Sequence, residues 1–301
     1  MSSATEPRPG PSQEHDLQIG QALVLGALHG PAELLPISSS GHIAVIPWLL
    51  GWDYTRADPE LRKAFEVALH AGTAGALLIT LRPEVQDAVR GMSPRLAKLI
   101  LLSFLPPAVV GYTLERPIER HLGTPATIAF GLICGSLVMA WADRAPQVHG
   151  SREAGATDAL WLGLAQACAL IPGVSRNGAT LAAARHRRFT REDANKLSRH
   201  VALPVIAGAT ALKTVRLIRR GLPPRSAMPL AVGAGASFAS TLGSTWLIRQ
   251  VERDRSLLPY AAYRLGLAAV VLRRLARGRA AHPAPAPPGA APSVGYTTMA
   301  T

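Results

Sequence analysis

Between Pro31 and Leu50 the chain reads PAELLPISSSGHIAVIPWLL, which sets a carboxylate (Glu33), three consecutive hydroxyls (Ser38, Ser39, Ser40) and an imidazole (His42) into sequence otherwise apolar enough for lipid. A second apolar stretch, ALIPGVSRNGATLAAA from Ala169 to Ala184, carries Arg176. An ionisable group at membrane depth costs at least ~2.5 to 3.5 kcal/mol, so such groups line polar cavities or substrate paths. Glu33, His42 and Arg176 therefore read together as one site, and the chemistry they suit is the handling of an anion in apolar surroundings. Arg176 offers a planar, permanently charged fork matched to phosphate oxygens. Gly41, Gly173 and Gly178, with Ser38, Ser40 and Ser175, would let backbone N–H groups approach the anion, and helices restarting after each break would aim their positive ends at it. Glu33 suits either holding a cation or acting as a base. His42 could relay a proton or attack phosphorus, and Ser39 could be a nucleophile or only a hydrogen-bond donor.

Packing accounts for other polar residues. A serine in a membrane helix commonly bonds its own backbone or a neighbouring helix, a reading open to Ser38 and Ser40, and Gly41 and Gly178 could serve close packing alone. His70, on the apolar run from Phe65 to Leu81, reads as a core or cavity histidine partnered by Glu66 rather than as a ligand. Arg199 and His200 read as interfacial.

The elements that must position these groups belong to a membrane protein. Of 301 residues, 48% are hydrophobic and 17% charged, too apolar for an ordinary soluble chain, yet the net charge is +13. The basic residues concentrate in short connections between apolar runs. With 5% aromatic residues and no interleaving of arginines with aromatics, nucleic acid is not an expected partner. Anionic headgroups and an anionic substrate are. Cys134 and Cys168 have neither disulfide-framework nor metal spacing and read as packing. Residues 1–16 are polar and Pro-rich, without the basic and apolar regions of a signal peptide, and are expected to form a disordered tail. Residues 277–301, rich in Pro and Ala, are expected to form a second one. One membrane domain, 17–274, lies between.

Its apolar runs are uneven: Leu17 to Gly30, Ile43 to Gly51, Ala64 to Leu81, Leu99 to Leu114, Ala126 to Ala142, Ala159 to Pro172, Gly178 to Ala184, Val201 to Leu212, Pro229 to Ile248 and Leu257 to Leu272. A full span needs about 20 residues, so the short pairs around polar turns predict two re-entrant helical hairpins. The chain also repeats itself. Leu25-Gly26 corresponds to Leu162-Gly163, and the same offset of 137 carries His29 onto Gln166, Ser38 onto Ser175, Ser39 onto Arg176 and Gly41 onto Gly178. The offset drifts further on, with Ala71-Gly72 matching Ala207-Gly208 and Pro125 matching Pro259. The expected fold is an all-α polytopic membrane protein of two inverted-topology repeats, about 17–142 and 159–274, with the site at their interface. Basic connections at Arg82 to Lys98, Arg185 to Arg199 and Lys213 to Arg225 give conflicting orientation signals.

At these residues the sequence resembles the bacitracin-resistance family of undecaprenyl-diphosphate phosphatases, membrane enzymes that recycle the lipid carrier of bacterial wall synthesis. The family's first motif, E-G-x-T-E-F-x-P-V-S-S-[S/T]-G-H, falls on His29 to His42, and its second, P-G-x-S-R-S-G-A-T, on Pro172 to Thr180 with Asn177 in place of a serine. FEVALHAGT (Phe65 to Thr73), LPVIAGATAL (Leu203 to Leu212) and PYAAYR (Pro259 to Arg264) are also similar. The resemblance implies hydrolysis of undecaprenyl diphosphate to the monophosphate and inorganic phosphate in the bacterial plasma membrane. It implies Glu33, Ser39, His42 and Arg176 as catalytic residues and a diphosphate bound by Ser38, Ser40, Gly41, Gly173, Ser175, Arg176 and Gly178. The expected cofactor is Mg²⁺ or another divalent cation. The expected partners are the membrane, a polyprenyl diphosphate for which bacitracin competes, and a second copy in a homodimer. The departures are His29, where the family has a glutamate, and Ala32, where it has threonine. The family's two glutamates support metal binding, so the ligands here would be Glu33 and His29, and an imidazole suits Mg²⁺ less well than a carboxylate. A diphosphatase for another prenyl diphosphate and a lipid-carrier transporter or flippase are the alternative readings.

Overall fold

The computed structural model describes residues 17–222, 226–253 and 256–281. These form helices α1 (Ile19–Leu34), α2 (Ser39–Leu50), α3 (Pro59–Thr80), α4 (Arg82–Arg90), α5 (Pro94–Leu122), α6 (Pro125–Ala142), α7 (Ala156–Cys168), α8 (Arg176–His186), α9 (Arg191–Arg220), α10 (Ala227–Gly243), α11 (Trp246–Glu252) and α12 (Leu258–Ala281). Among the described residues the only extended pairing is an isolated bridge between His149 and Phe189.

Two interruptions shape the site, and local chemistry explains both. A residue preceding proline is pushed out of the helical region. Leu35, before Pro36, is accordingly extended, with φ −86° and ψ 152°, and ends α1. The chain restarts at Ser38, whose hydroxyl accepts from the backbone N–H of Gly41 and caps α2. Between α7 and α8 the interruption holds Pro172 and Gly173, the latter at φ 92°, a conformation glycine adopts without steric cost. Ser175 then caps α8 by accepting from the N–H of Gly178. Both helix–break–helix units thus restart on a serine cap three residues ahead of a glycine.

Helix α1 packs on α10, α10 on α3, α7 on α5, and α6 on α12. Small residues allow the backbones to meet. Gly26 of α1 faces Gly233 and Ala236 of α10, Gly30 faces Ser240 and Thr241, Gly72 of α3 faces Ala234, and Gly163 of α7 faces Ser103 and Pro106 of α5. This is the small-residue packing of helices for which lipid supplies no hydrophobic drive toward one another.

Within α5 the stretch Pro94–Ile118, and α6 and α9 in full, are long and apolar enough to cross a membrane. Beyond Val201, α9 has no buried residue, although Leu212, Val215 and Ile218 are apolar. Phe104, Leu105 and Val109 of α5 and Phe130, Leu137 and Val138 of α6 are likewise exposed. Such continuous apolar surfaces are what a lipid-embedded chain presents. The architecture is that of an all-helical membrane protein.

Two features refine the sequence reading. The apolar run Pro229 to Ile248 is divided between α10 and α11, with a break at Ser244 and Thr245. There Ser240 and Thr241 donate to Ser237 O, and Thr245 to Leu242 O, so side-chain hydroxyls compete for the backbone groups that continuation requires. The tail assigned from residue 277 overlaps α12, which continues through Ala281 despite Gly278. The rest of that tail, and residues 1–16, lie outside the described residues.

Candidate active site

Glu33 stands in the last turn of α1 and joins three helices. One carboxylate oxygen, Oε1, accepts from Nη2 of Arg176, the first residue of α8, and the other, Oε2, accepts from Oγ of Ser39, the first residue of α2. The side chain of Glu33 is 9% exposed and that of Arg176 22%, so the carboxylate is withdrawn from solvent with its charge compensated. It also lies at two helix N-termini, where partial positive charge favours an anion. Asn177, next along α8, donates to Leu34 O over 2.9 Å and so satisfies a carbonyl left open by the end of α1. A serine would be too short to make the same amide contact.

His29 lies one turn before Glu33 on the same face of α1. Its Nδ1 is 2.9 Å from Thr73 Oγ1 and 3.2 Å from Ser237 Oγ, and those two hydroxyls are 2.7 Å apart. Ser237 donates to Leu69 O over 2.9 Å. A carbonyl only accepts, so the relay has one direction: His29 Nδ1–H to Thr73, Thr73 to Ser237, Ser237 to Leu69 O. The lone pair of His29 is therefore on Nε2, which is buried and has no hydrogen-bond partner.

His70 of α3 comes against His29 edge to face, with ring centroids 4.7 Å apart. Its Nδ1 donates to the backbone carbonyl of Glu66, 2.9 Å away, which again leaves the lone pair on Nε2. One ligand atom from each of His29, Glu33 and His70 lies within 4.8 Å of the others. The sequence reading of His70 as a core or cavity histidine beside Glu66 has its counterpart in the bond to the Glu66 carbonyl, and the ring also packs against His29. His70 and Thr73, one helical turn apart on α3, both contact His29. Two imidazole nitrogens, one of them orphaned, and a carboxylate oxygen are a donor set fitted to a divalent cation.

His42 belongs to an adjoining group. Its Nδ1 donates to Ser38 O over 2.7 Å, and its Nε2 therefore accepts from the hydroxyl of Tyr263, also 2.7 Å away. Beside it, Arg264 is fully buried and grips carbonyls from both interruptions, Pro36 O at 3.3 Å and Gly173 O at 3.0 Å, together with Leu132 O at 3.4 Å. Sequence reasoning passed over Tyr263 and Arg264 as site residues, although both lie in the PYAAYR segment.

The glycines serve packing in addition to any ligand role. A side chain at Gly41 would approach Gly173 to 3.4 Å, and one at Gly178 would meet Met139 Sδ at 2.7 Å. The N–H groups of Gly41 and Gly178 are already taken by Ser38 and Ser175. Ser40 Oγ lies 3.4 Å from Ser38 Oγ. What remains for an anion at the start of α2 are the N–H groups of Ser39 and Ser40, which have no partner within the helix.

Residues 22–270 match the model of a protein family described as Bacitracin resistance protein BacA. The chain belongs to this family. Among similar proteins, the undecaprenyl-diphosphatase of Geobacter sulfurreducens is 41% identical over 273 residues, covering 86% of this chain and 99% of the relative. That of Geobacter metallireducens is 39% identical over 268 residues, covering 83% and 96%. That of Acidovorax ebreus is 33% identical over 263 residues, covering 84% and 93%. The family match therefore spans both interruptions and all the site residues described above.

Proposed function

We propose that this protein is a multi-pass enzyme of the bacterial cell membrane that hydrolyses undecaprenyl diphosphate to undecaprenyl phosphate and inorganic phosphate, recycling the carrier of wall synthesis and conferring bacitracin resistance by competing for the same lipid. The observation that carries this reading is the clasp of Glu33 by Ser39 and Arg176 at two helix starts, in a chain of the BacA family. Full-length relatives carrying the name undecaprenyl-diphosphatase support the substrate.

Transfer of a phosphoryl group depends mostly on positioning and electrostatic stabilisation. Arg176 binds the terminal phosphate with its guanidinium fork as Glu33 gives up one of its contacts, and the first-turn N–H groups of α2 receive equatorial oxygens. Ser39 Oγ, already hydrogen-bonded to Glu33, attacks phosphorus as its proton passes to that carboxylate. An Oγ–P bond forms, the anhydride P–O bond breaks, and undecaprenyl phosphate leaves and takes up the proton from Glu33. Water then attacks the phosphoserine, Glu33 transfers the water's proton to the departing Ser39 oxygen, and inorganic phosphate is released. His42, oriented by Ser38 O and Tyr263, serves as a proton relay at the leaving side. A divalent cation, Mg²⁺ or another, held by Glu33 and His29, would neutralise charge on the diphosphate oxygens when bound.

The fold reading extends in the same direction. We take α1–α2 and α7–α8 as re-entrant hairpins of two inverted repeats. Supporting this, Ser38 and Ser175 are equivalent caps at the 137-residue offset, and the packing is reciprocal: α1 lies on α10 of the second half, and α7 on α5 of the first.

The test is phosphate release from undecaprenyl diphosphate by the full chain purified in detergent, with stoichiometric monophosphate as the expected product. Binding of the lipid with no phosphate release would overturn the enzyme reading in favour of a carrier.

A further inference from the structure

The cluster of His29, Glu33 and His70 has a chemistry of its own. His29 and Glu33 stand four residues apart on α1, and α3 brings His70 edge-on to His29, so three ligand atoms converge within 4.8 Å. We propose that these three side chains form a binding site for a borderline-soft divalent cation of the Zn²⁺ or Co²⁺ class, in preference to Mg²⁺.

Three features support this. The donor set is two imidazole nitrogens and one carboxylate oxygen, three protein ligands of the kind that hold Zn²⁺ with a further position open. Mg²⁺ demands oxygen donors in near-ideal octahedral array, and at nitrogen-containing sites affinity rises toward the later first-row ions. Second, both rings are pre-set for ligation through the same atom. Nδ1–H of His29 is tied through Thr73 and Ser237 to Leu69 O, and Nδ1–H of His70 is tied to Glu66 O, so each ring directs its Nε2 lone pair away from its anchor. Anchoring of the second ring nitrogen by a carbonyl or a polar relay is the arrangement that orients metal-binding histidines. Third, His29 is 0% exposed and its Nε2 has no hydrogen-bond partner. A buried acceptor left unpaired is destabilising, and a cation bound to it removes that penalty.

Glu33 is shared between this cluster and the Arg176–Ser39 clasp, which links a cation at this site to the bound anion. The inference deepens the diphosphatase reading as regards the cation used in turnover. Cation binding itself rests on the three side chains alone.

The experiment uses the full chain in detergent, stripped with chelator, and reads the visible absorption of added Co²⁺, which strengthens and shifts when nitrogen ligands replace water. A one-to-one band is expected, displaced by equimolar Zn²⁺ and resistant to a large excess of Mg²⁺. His70→Ala should lower Co²⁺ affinity at least tenfold, and Thr73→Val, which breaks the relay while leaving all three ligands, should lower it less. His29→Glu should make Mg²⁺ an effective competitor, because an oxygen donor replaces a nitrogen. An unchanged aqueous Co²⁺ spectrum, or displacement by Mg²⁺ as effective as that by Zn²⁺, would overturn the site. Phosphate release is measured on the same samples. A protein that releases phosphate but shows no Co²⁺ band loses the site and keeps the diphosphatase reading. One that gives the band but releases no phosphate keeps the site and loses that reading.

Discussion

The hydroxyl of Tyr263 on α12 donates to Nε2 of His42 on α2, and the two rings lie nearly parallel, 6° apart, with centroids separated by 5.6 Å. The contact spans 221 positions of sequence and ties the last helix to the first interruption. It also determines the state of the imidazole, because Ser38 O can only accept from Nδ1 and Nε2 is left as the acceptor.

Tyr263→Phe keeps the stacked ring and removes only that donor. Tyr263 is half exposed, so the stability loss should stay below about 1 kcal/mol. Turnover should fall while KM is nearly unchanged, since the hydroxyl touches His42 rather than Arg176. Thermal unfolding and steady-state phosphate release measure the two effects; wild-type turnover would reduce the contact to packing.

Arg176→Lys keeps a charge beside Glu33 but loses the fork, and should cost about a hundredfold or more in turnover. Arg176→Ala should lose at least as much and also destabilise the fold. Removing one partner of a fully buried pair costs about 3 to 5 kcal/mol, and the partial exposure of Arg176 puts the expectation at or below the lower end of that range. Activity of the Lys variant close to that of the parent would remove the fork from the chemistry.

Glu33→Gln retains an acceptor for Arg176 and the shape of the side chain, while removing the base. Turnover should drop by about 10²- to 10⁴-fold in protein that still folds and inserts. Incubation with substrate and acid quench should yield no phosphoserine at position 39 in this variant, in contrast to the parent. Comparable labelling of both would mean that Glu33 does not activate Ser39.

Gly30→Ala tests the close approach that positions the metal cluster. The added methyl would stand 2.5 Å from Thr241 N and 2.8 Å from Ser240 C, backbone atoms with no freedom to withdraw. Overpacking of this kind costs about 1 to 3 kcal/mol, read as a lowered unfolding temperature. Gly20→Ala, also in α1 but with nothing within 4 Å, is the control and should be neutral to slightly stabilising.

Much of the site was legible because its residues are costly where they stand. Glu33, Ser39 and Arg176 announce themselves as polar groups in apolar sequence, and the structure joins them directly. The two serine caps were visible as breaks because serine and glycine follow Pro36 and Pro172 within a few residues, whereas Pro31 and Pro47, without such a cluster, lie inside helices. His70 was not legible as a ligand candidate. A histidine in an apolar helix becomes one only when α3 docks against α1, and that docking depends on Gly26, Gly30 and Gly72 meeting α10, a surface match without a linear pattern. Arg264 was hidden for a related reason, since its partners are backbone carbonyls, which every residue possesses. The break at Ser244 escaped notice because hydroxyl groups that unwind a helix in one setting cap or cross-link helices in another.

Arg264 has a mechanical consequence. A single planar group, about as stiff as an aromatic ring, is fastened to Pro36 in one interruption and Gly173 in the other, with Leu132 of α6 as a third attachment. The two breaks are therefore riveted to one plate, and neither can shift without dragging its counterpart or shedding a bond to a buried charge. Because Ser39 follows one of these breaks and Arg176 the other, the same plate that joins the breaks also sets the spacing of the two side chains that clasp Glu33.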